Sequence, residues 1–163
     1  LDYLAIKTIH ILSATLLFGT GLGSAFYKWR ADRSDDLAAI AVTNKNVVLA
    51  DWLITTPTVV IQPATGVLLV YRQGYSLEES WLLLSLLLFL IAGACWLVVV
   101  YLQIKMRDVS HLALNRQTPL PDIYLRYAKI WIWLGVPAFC SILLVYGLMV
   151  VKPTIGLINL GIL

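Results

Sequence analysis

Hydrophobic residues in this chain run in long blocks, without the short alternation of strands. Four blocks stand out, over residues 3–27, 47–71, 81–105 and 130–151. Each supplies the roughly 20 largely apolar residues that a helix needs to cross a bilayer. The breaks between them are polar. Ser34-Asp35-Asp36 follows the first block, and Ser34 with its acids predicts a capped helix over 37–49 that runs into the second. Ser76 and Glu79 form a capping-box pattern ahead of the third. That helix is expected to continue past the lipid to about Leu114, and Pro121-Asp122 opens the fourth. Pro57 and Pro63 fall inside the second block, where each removes a backbone hydrogen bond and bends the helix. The pattern predicts one all-α transmembrane domain over 1–163, a four-helix bundle with a kinked second helix.

Composition removes the alternatives. Sixty per cent of the residues are apolar and 13% are charged, against about 45–50% and about 25% in soluble domains. A soluble enzyme with this balance would expose broad apolar patches, and a disordered chain could not be so hydrophobic. The net charge of +3, with no basic patch interleaved with aromatics, excludes nucleic acid as a partner. Cys95 and Cys140 lie inside apolar blocks and read as ordinary buried side chains. The first block lacks a basic leader and a cleavage pattern, so it reads as a span. The chain opens on Leu1, which points to leading residues outside this numbering.

Basic residues set the orientation. Lys28, Arg30, Arg33 and Lys45 follow the first span, and Lys105, Arg107, Arg116, Arg126 and Lys129 lie between the third and fourth. The second connection has only Arg72, and the end of the chain only Lys152. Lysine and arginine favour the cytoplasmic side, so both termini face outward. Tyr27, Trp29, Trp52, Trp131 and Trp133 fall near the inner interface, and Tyr3, Tyr71, Tyr75 and Trp81 near the outer one.

Polar groups inside the lipid carry the candidate chemistry. Lys7 and His10 are three apart and share a helix face. Gly19, Gly23, Thr20 and Ser24 repeat a small-residue spacing that predicts close helix packing. Asp51, Thr55, Thr58, Gln62 and Thr65 recur every three or four residues, so this stripe faces the bundle interior and relieves the prolines. At about 1.5 Å per residue, His10 falls at the depth of Thr65, Gly66 and Tyr146. His111 lies more than half a membrane away and is expected in a solvated loop. Neutral imidazole is a usual axial ligand of haem iron. His10 is therefore the candidate metal ligand, beside Lys7, Thr65, Gly66 and Tyr146, with small residues leaving room for a flat macrocycle. Lys7, Arg72 or Trp81 would meet propionates, and Tyr146 or Met149 would sit nearest the second axial position.

The opening Tyr-Leu-Ala-Ile-Lys-Thr-Ile-His over 3–10, the run from Gly19 to Ser24 and Lys28-Trp29-Arg30 resemble a bacterial family of predicted integral membrane proteins of unknown function. The resemblance covers all four spans, including Asp51-Trp52, Thr56-Pro57, Pro63-Ala64-Thr65-Gly66 and Trp81. More distantly, the chain is similar to the HemJ-type protoporphyrinogen oxidases and the CopD-type copper-resistance membrane proteins. These share a Lys-x-x-His early in span one and a Thr-Pro…Gly pattern in span two. The resemblance implies a bacterial cytoplasmic (inner) membrane and His10 as the haem ligand, with Pro57 and Gly66 matching. A lysine and a histidine of the HemJ third span fall on Ser85 and Trp96.

These readings converge on a small accessory or structural subunit of a membrane assembly, without catalytic residues of its own, holding one haem b through His10. Its partners are the bilayer and other membrane subunits or a second copy, met through the apolar residues 154–163 and the Gly19/Gly23 face. Two other readings stand beside it: a haem-dependent oxidoreductase of the HemJ kind, and a small metal or solute carrier using the stripe from Asp51 to Thr65. The orientation is directly testable. In a variant lacking Cys95 and Cys140, single cysteines at Arg33 and Arg116 should react with an impermeant thiol reagent only from the cytoplasmic face, and one at Ser76 only from outside. The reverse labelling would invert the bundle.

Overall fold

The computed structural model describes residues 2–153. Among these are five α-helices and no strand: α1 (Tyr3–Ala31), α2 (Leu37–Ala50), α3 (Thr56–Gln73), α4 (Ser80–Arg116) and α5 (Asp122–Val151). A π-helical turn, Asp51–Thr55, joins α2 to α3, so 37–73 forms one long rod. Four helical stretches are thus long and apolar enough to cross a membrane. The expected apolar tail, 154–163, lies outside the described residues.

Helix ends follow local chemistry, with two corrections. Asp36, not Ser34, caps α2, accepting from the Ala38 and Ala39 amides. Ser34 instead donates to the Ala31 carbonyl and helps close α1. Before α4, Ser76 accepts from the Glu78 amide and Glu79 takes the cap position, so the expected capping box does not form. Gly74 ends α3 at φ 68°, a left-handed conformation that costs glycine little. α4 runs past Leu114 to Arg116, so His111 lies on a helix, half-buried, and not in a loop.

The bundle exposes apolar side chains and buries polar ones alongside its apolar core. Leu86, Leu87, Leu90 and Leu97 of α4 are exposed, as lipid requires of a spanning helix. Buried positions include Ser13, Asn44, Asp51, Thr55, Thr58, Gln62, Thr65, Ser85, Gln103, Ser110 and Ser141. The stripe from Asp51 to Thr65 therefore faces inward as its spacing required. The two cysteines do not behave as core residues: both are free thiols, Cys95 half-buried and Cys140 exposed on the apolar exterior. Trp81 and Trp131 are buried against other helices.

Threonine hydroxyls add donors to backbone carbonyls beside the prolines. Pro57 and Pro63 offer no amide hydrogen. The Thr56 hydroxyl and amide both donate to the Asp51 carbonyl across the π turn, and the Thr58 hydroxyl reaches the Ile54 and Thr55 carbonyls at 2.8 Å. The irregularity of the second span is thus concentrated at Asp51–Thr55.

One polar cluster ties all four rods together at their basic end. Lys28 is 1% exposed. Its ammonium donates to both Asp32 oxygens, at 3.0 and 2.8 Å, and to the Tyr124 hydroxyl at 3.0 Å. Tyr124 donates onward to Asp32 and accepts from Asn44 of α2 at 3.0 Å. Asn44 also donates to Ser110 of α4 at 3.2 Å. The rings of Tyr124 and Trp131 lie 5.0 and 5.5 Å from the ammonium. Around the cluster pack Ala31, Ile40, Leu102, Met106 and Tyr124. Counted for topology as a loop charge, Lys28 is in fact interior, because α1 continues past it. Removing one partner of a buried ion pair leaves the other uncompensated, so Lys28→Met should destabilise the bundle by about 3 kcal/mol. Tyr124→Phe, which strands neutral and charged partners alike, should cost about 1–3 kcal/mol. Unfolding midpoints in detergent measure both, and unchanged midpoints would remove the cluster as a stabilising element.

Candidate functional site

α1 and α3 run antiparallel, and their shared face brings the first-span histidine against the second-span stripe. Ser13 donates to the Thr58 carbonyl at 3.4 Å, and Gln62 donates to the His10 carbonyl at 2.9 Å. One turn outward, His10 Nδ1 lies 2.7 Å from Thr65 Oγ1. A threonine hydroxyl has one hydrogen, and the Ile61 and Gln62 carbonyls lie 2.7 and 3.2 Å from the Thr65 hydroxyl. With that hydrogen on the Ile61 carbonyl, Thr65 accepts from His10 Nδ1 and Nε2 keeps its lone pair; with it turned to the ring, the roles reverse.

Gly66 flanks the ring. A Cβ there would meet His10 Cε1 at 3.5 Å, an ordinary contact. The expected neighbours His10, Thr65 and Gly66 therefore meet in one place. Tyr146 does not join them: its hydroxyl donates to the Ala14 carbonyl at 2.7 Å and its ring packs edge-on to Phe18. Lys7 is exposed, its ammonium 5.8 Å from the Tyr3 ring. Trp81 is packed under Tyr75 and Lys152 and faces no open surface.

The small-residue run departs from expectation. Gly19, Gly21 and Gly23 have nothing within 4 Å of where a side chain would begin, so none of the described helices packs closely there. A groove of about 410 Å³ opens instead between α1 and α2, lined by Thr20, Gly23, Ser24, Asn46 and Val47 among others. It lies some 20 Å along α1 from His10, at about 1.5 Å per residue over the 13 positions to Gly23. That open space is no berth for a group held on His10. Among the described residues, no three His, Cys, Asp or Glu side chains gather as a metal site.

A family model described as predicted integral membrane protein (DUF2269) matches residues 4–153. The chain belongs to this family. No curated protein and no solved structure matches it.

Two polar clusters of this DUF2269 member lay beyond the linear pattern. The first is the Lys28 cluster. The second surrounds Asp51 on the π turn, where Thr55 and, from α4, Trp96 and Gln103 approach the carboxyl. A sequence signal existed: Trp96, Gln103 and Ser110 are spaced by seven, which puts them on one face of an otherwise apolar helix. The Thr65 contact makes a direct prediction. With its hydrogen on the Ile61 carbonyl, nitrogen NMR of the imidazole should show the Nδ1–H tautomer of His10, and Thr65→Val should abolish that preference. An Nε2–H tautomer in the unmodified protein would turn the hydrogen to the ring.

Proposed function

We propose that this protein is a small accessory subunit of a bacterial inner-membrane assembly that carries one haem b on His10. The observation that carries the reading is the 2.7 Å contact of His10 Nδ1 with Thr65, which leaves Nε2 as the nitrogen for the iron. A metal-ligating histidine characteristically donates its other ring nitrogen to a neighbouring oxygen, which sets the tautomer and strengthens the ligand. Thr65 supplies that oxygen here. Gly66 keeps the ring edge beside α3 free of a side chain, and Lys7, three residues outward on the same face, offers a cation to a propionate. When bound, the haem would supply one-electron redox chemistry.

This chain's own part is to hold, orient and shield. Tyr146 is spent on the Ala14 carbonyl and is not available as a second axial ligand. The reading is therefore of one protein ligand to the iron. The open faces of Gly19, Gly21 and Gly23 support a partner helix, from another subunit or a second copy, that approaches closely.

Purified in detergent from haem-replete cells, the protein should show a Soret band that disappears in His10→Ala. Thr65→Val should weaken haem affinity about 10- to 100-fold, the usual effect of losing such an outer partner. A folded, colourless preparation that takes up no added haem would overturn the reading.

A further inference from the structure

His10 is held by α3 at two points. Thr65 Oγ1 lies 2.7 Å from ring Nδ1, and the Gln62 side-chain amide donates to the backbone carbonyl of the same histidine at 2.9 Å. Gln62 and Thr65 are three apart on α3, so one turn of that helix grips both ends of one residue of α1. A further bond between these helices, from Ser13 to the Thr58 carbonyl, is long at 3.4 Å and holds their register loosely.

The Gln62 bond is not needed to satisfy α1. Inside that helix the His10 carbonyl already accepts from the Ala14 amide. Gln62 takes the second lone pair of the oxygen, so its removal orphans no acceptor and leaves the helix intact. What the bond does is geometric. A slip of α1 along α3 by one residue moves the histidine about 1.5 Å, more than the range of about 2.7–3.2 Å over which such bonds form allows. With the carbonyl fixed, few staggered rotamers carry the ring to Thr65. Cε1 then lies beside Gly66, where a Cβ would stand 3.5 Å away. Tyr146 offers the comparison. From α5, its hydroxyl donates at 2.7 Å to the Ala14 carbonyl, one turn along α1. It makes the same kind of bond to the same helix, four residues from the histidine.

We propose that Gln62 is a positioning residue for His10: through the backbone carbonyl it places the imidazole against Thr65 and Gly66, and so sets the direction in which Nε2 meets an iron. The purpose rests on the haem reading; the placement of the ring does not.

The test uses the whole protein in nanodiscs, with histidine and glycine isotopically labelled and the His10 ring told from that of His111 by His111→Gln. The Cε1 hydrogen of His10 should give a strong magnetisation-transfer peak to the Gly66 α-hydrogens. That peak should fall several-fold in Gln62→Met, which keeps the side-chain length and loses the donor, and stay unchanged in Tyr146→Phe. In haem titrations Gln62→Met should weaken binding about tenfold, the scale of a lost outer partner, and shift the electron paramagnetic resonance of the ferric iron. Tyr146→Phe should do neither. An unchanged ring peak in Gln62→Met would overturn the proposal. So would an equal loss in Tyr146→Phe, which would make both bonds simple ties between helices. If the unmodified protein binds no haem, the haem reading falls and the ring peak alone decides the positioning. Should Gln62→Met not fold, Gln62→Asn, a methylene too short to reach the carbonyl, gives the same reading.

Discussion

A lysine ammonium inside an apolar bundle is the constraint on which this architecture turns. Lys28 is enclosed at the end of α1, where an unpaired charge would be prohibitively costly. The solution draws on every span. Asp32 supplies the countercharge from the same helix, Tyr124 of α5 bridges lysine and aspartate, and Asn44 and Ser110 carry the network across to α2 and α4. The Tyr124 hydroxyl donates once and accepts twice, and the ammonium makes three bonds. Such closure rewards one relative arrangement of four helices and penalises its neighbours, a specificity that nondirectional apolar contact between lipid-facing leucines cannot provide.

The second span combines local and interhelical bonding. Thr56 and Thr58 donate to carbonyls near the π turn, and Gln62 reaches outward to the His10 carbonyl. Bonds within the helix and bonds that dock it on α1 thus come from one region of the span. At its outer end the stripe also meets the histidine, where the Thr65 hydroxyl contacts both its own helix and the ring. The imidazole thereby ties α1 to α3 through Nδ1.

Between these regions lies the cluster at Asp51. Polar residues on α4 at spacing seven serve two different ends: Ser110 completes a closed network around Lys28, while Gln103 and Trp96 approach the Asp51 carboxyl.

Much of the fold is legible in the order of residues. Block length set four spans, because backbone hydrogen bonds must be closed within each helix in lipid, and the three-to-four spacing from Asp51 to Thr65 set which face turned inward. Depth counting placed His10 beside Thr65 and Gly66, since rise per residue is fixed. What one dimension could not contain was the lateral choice of neighbours. Lys28 looked like a loop charge because its partners, Tyr124 and Asn44, are distant in the chain. Tyr146 shares a depth with the histidine but bonds Ala14, because depth does not specify azimuth around the bundle axis. Glycine spacing suggested contact where the structure leaves open space. Periodicity sets how far along a helix a group lies and which face bears it; only packing decides what stands opposite.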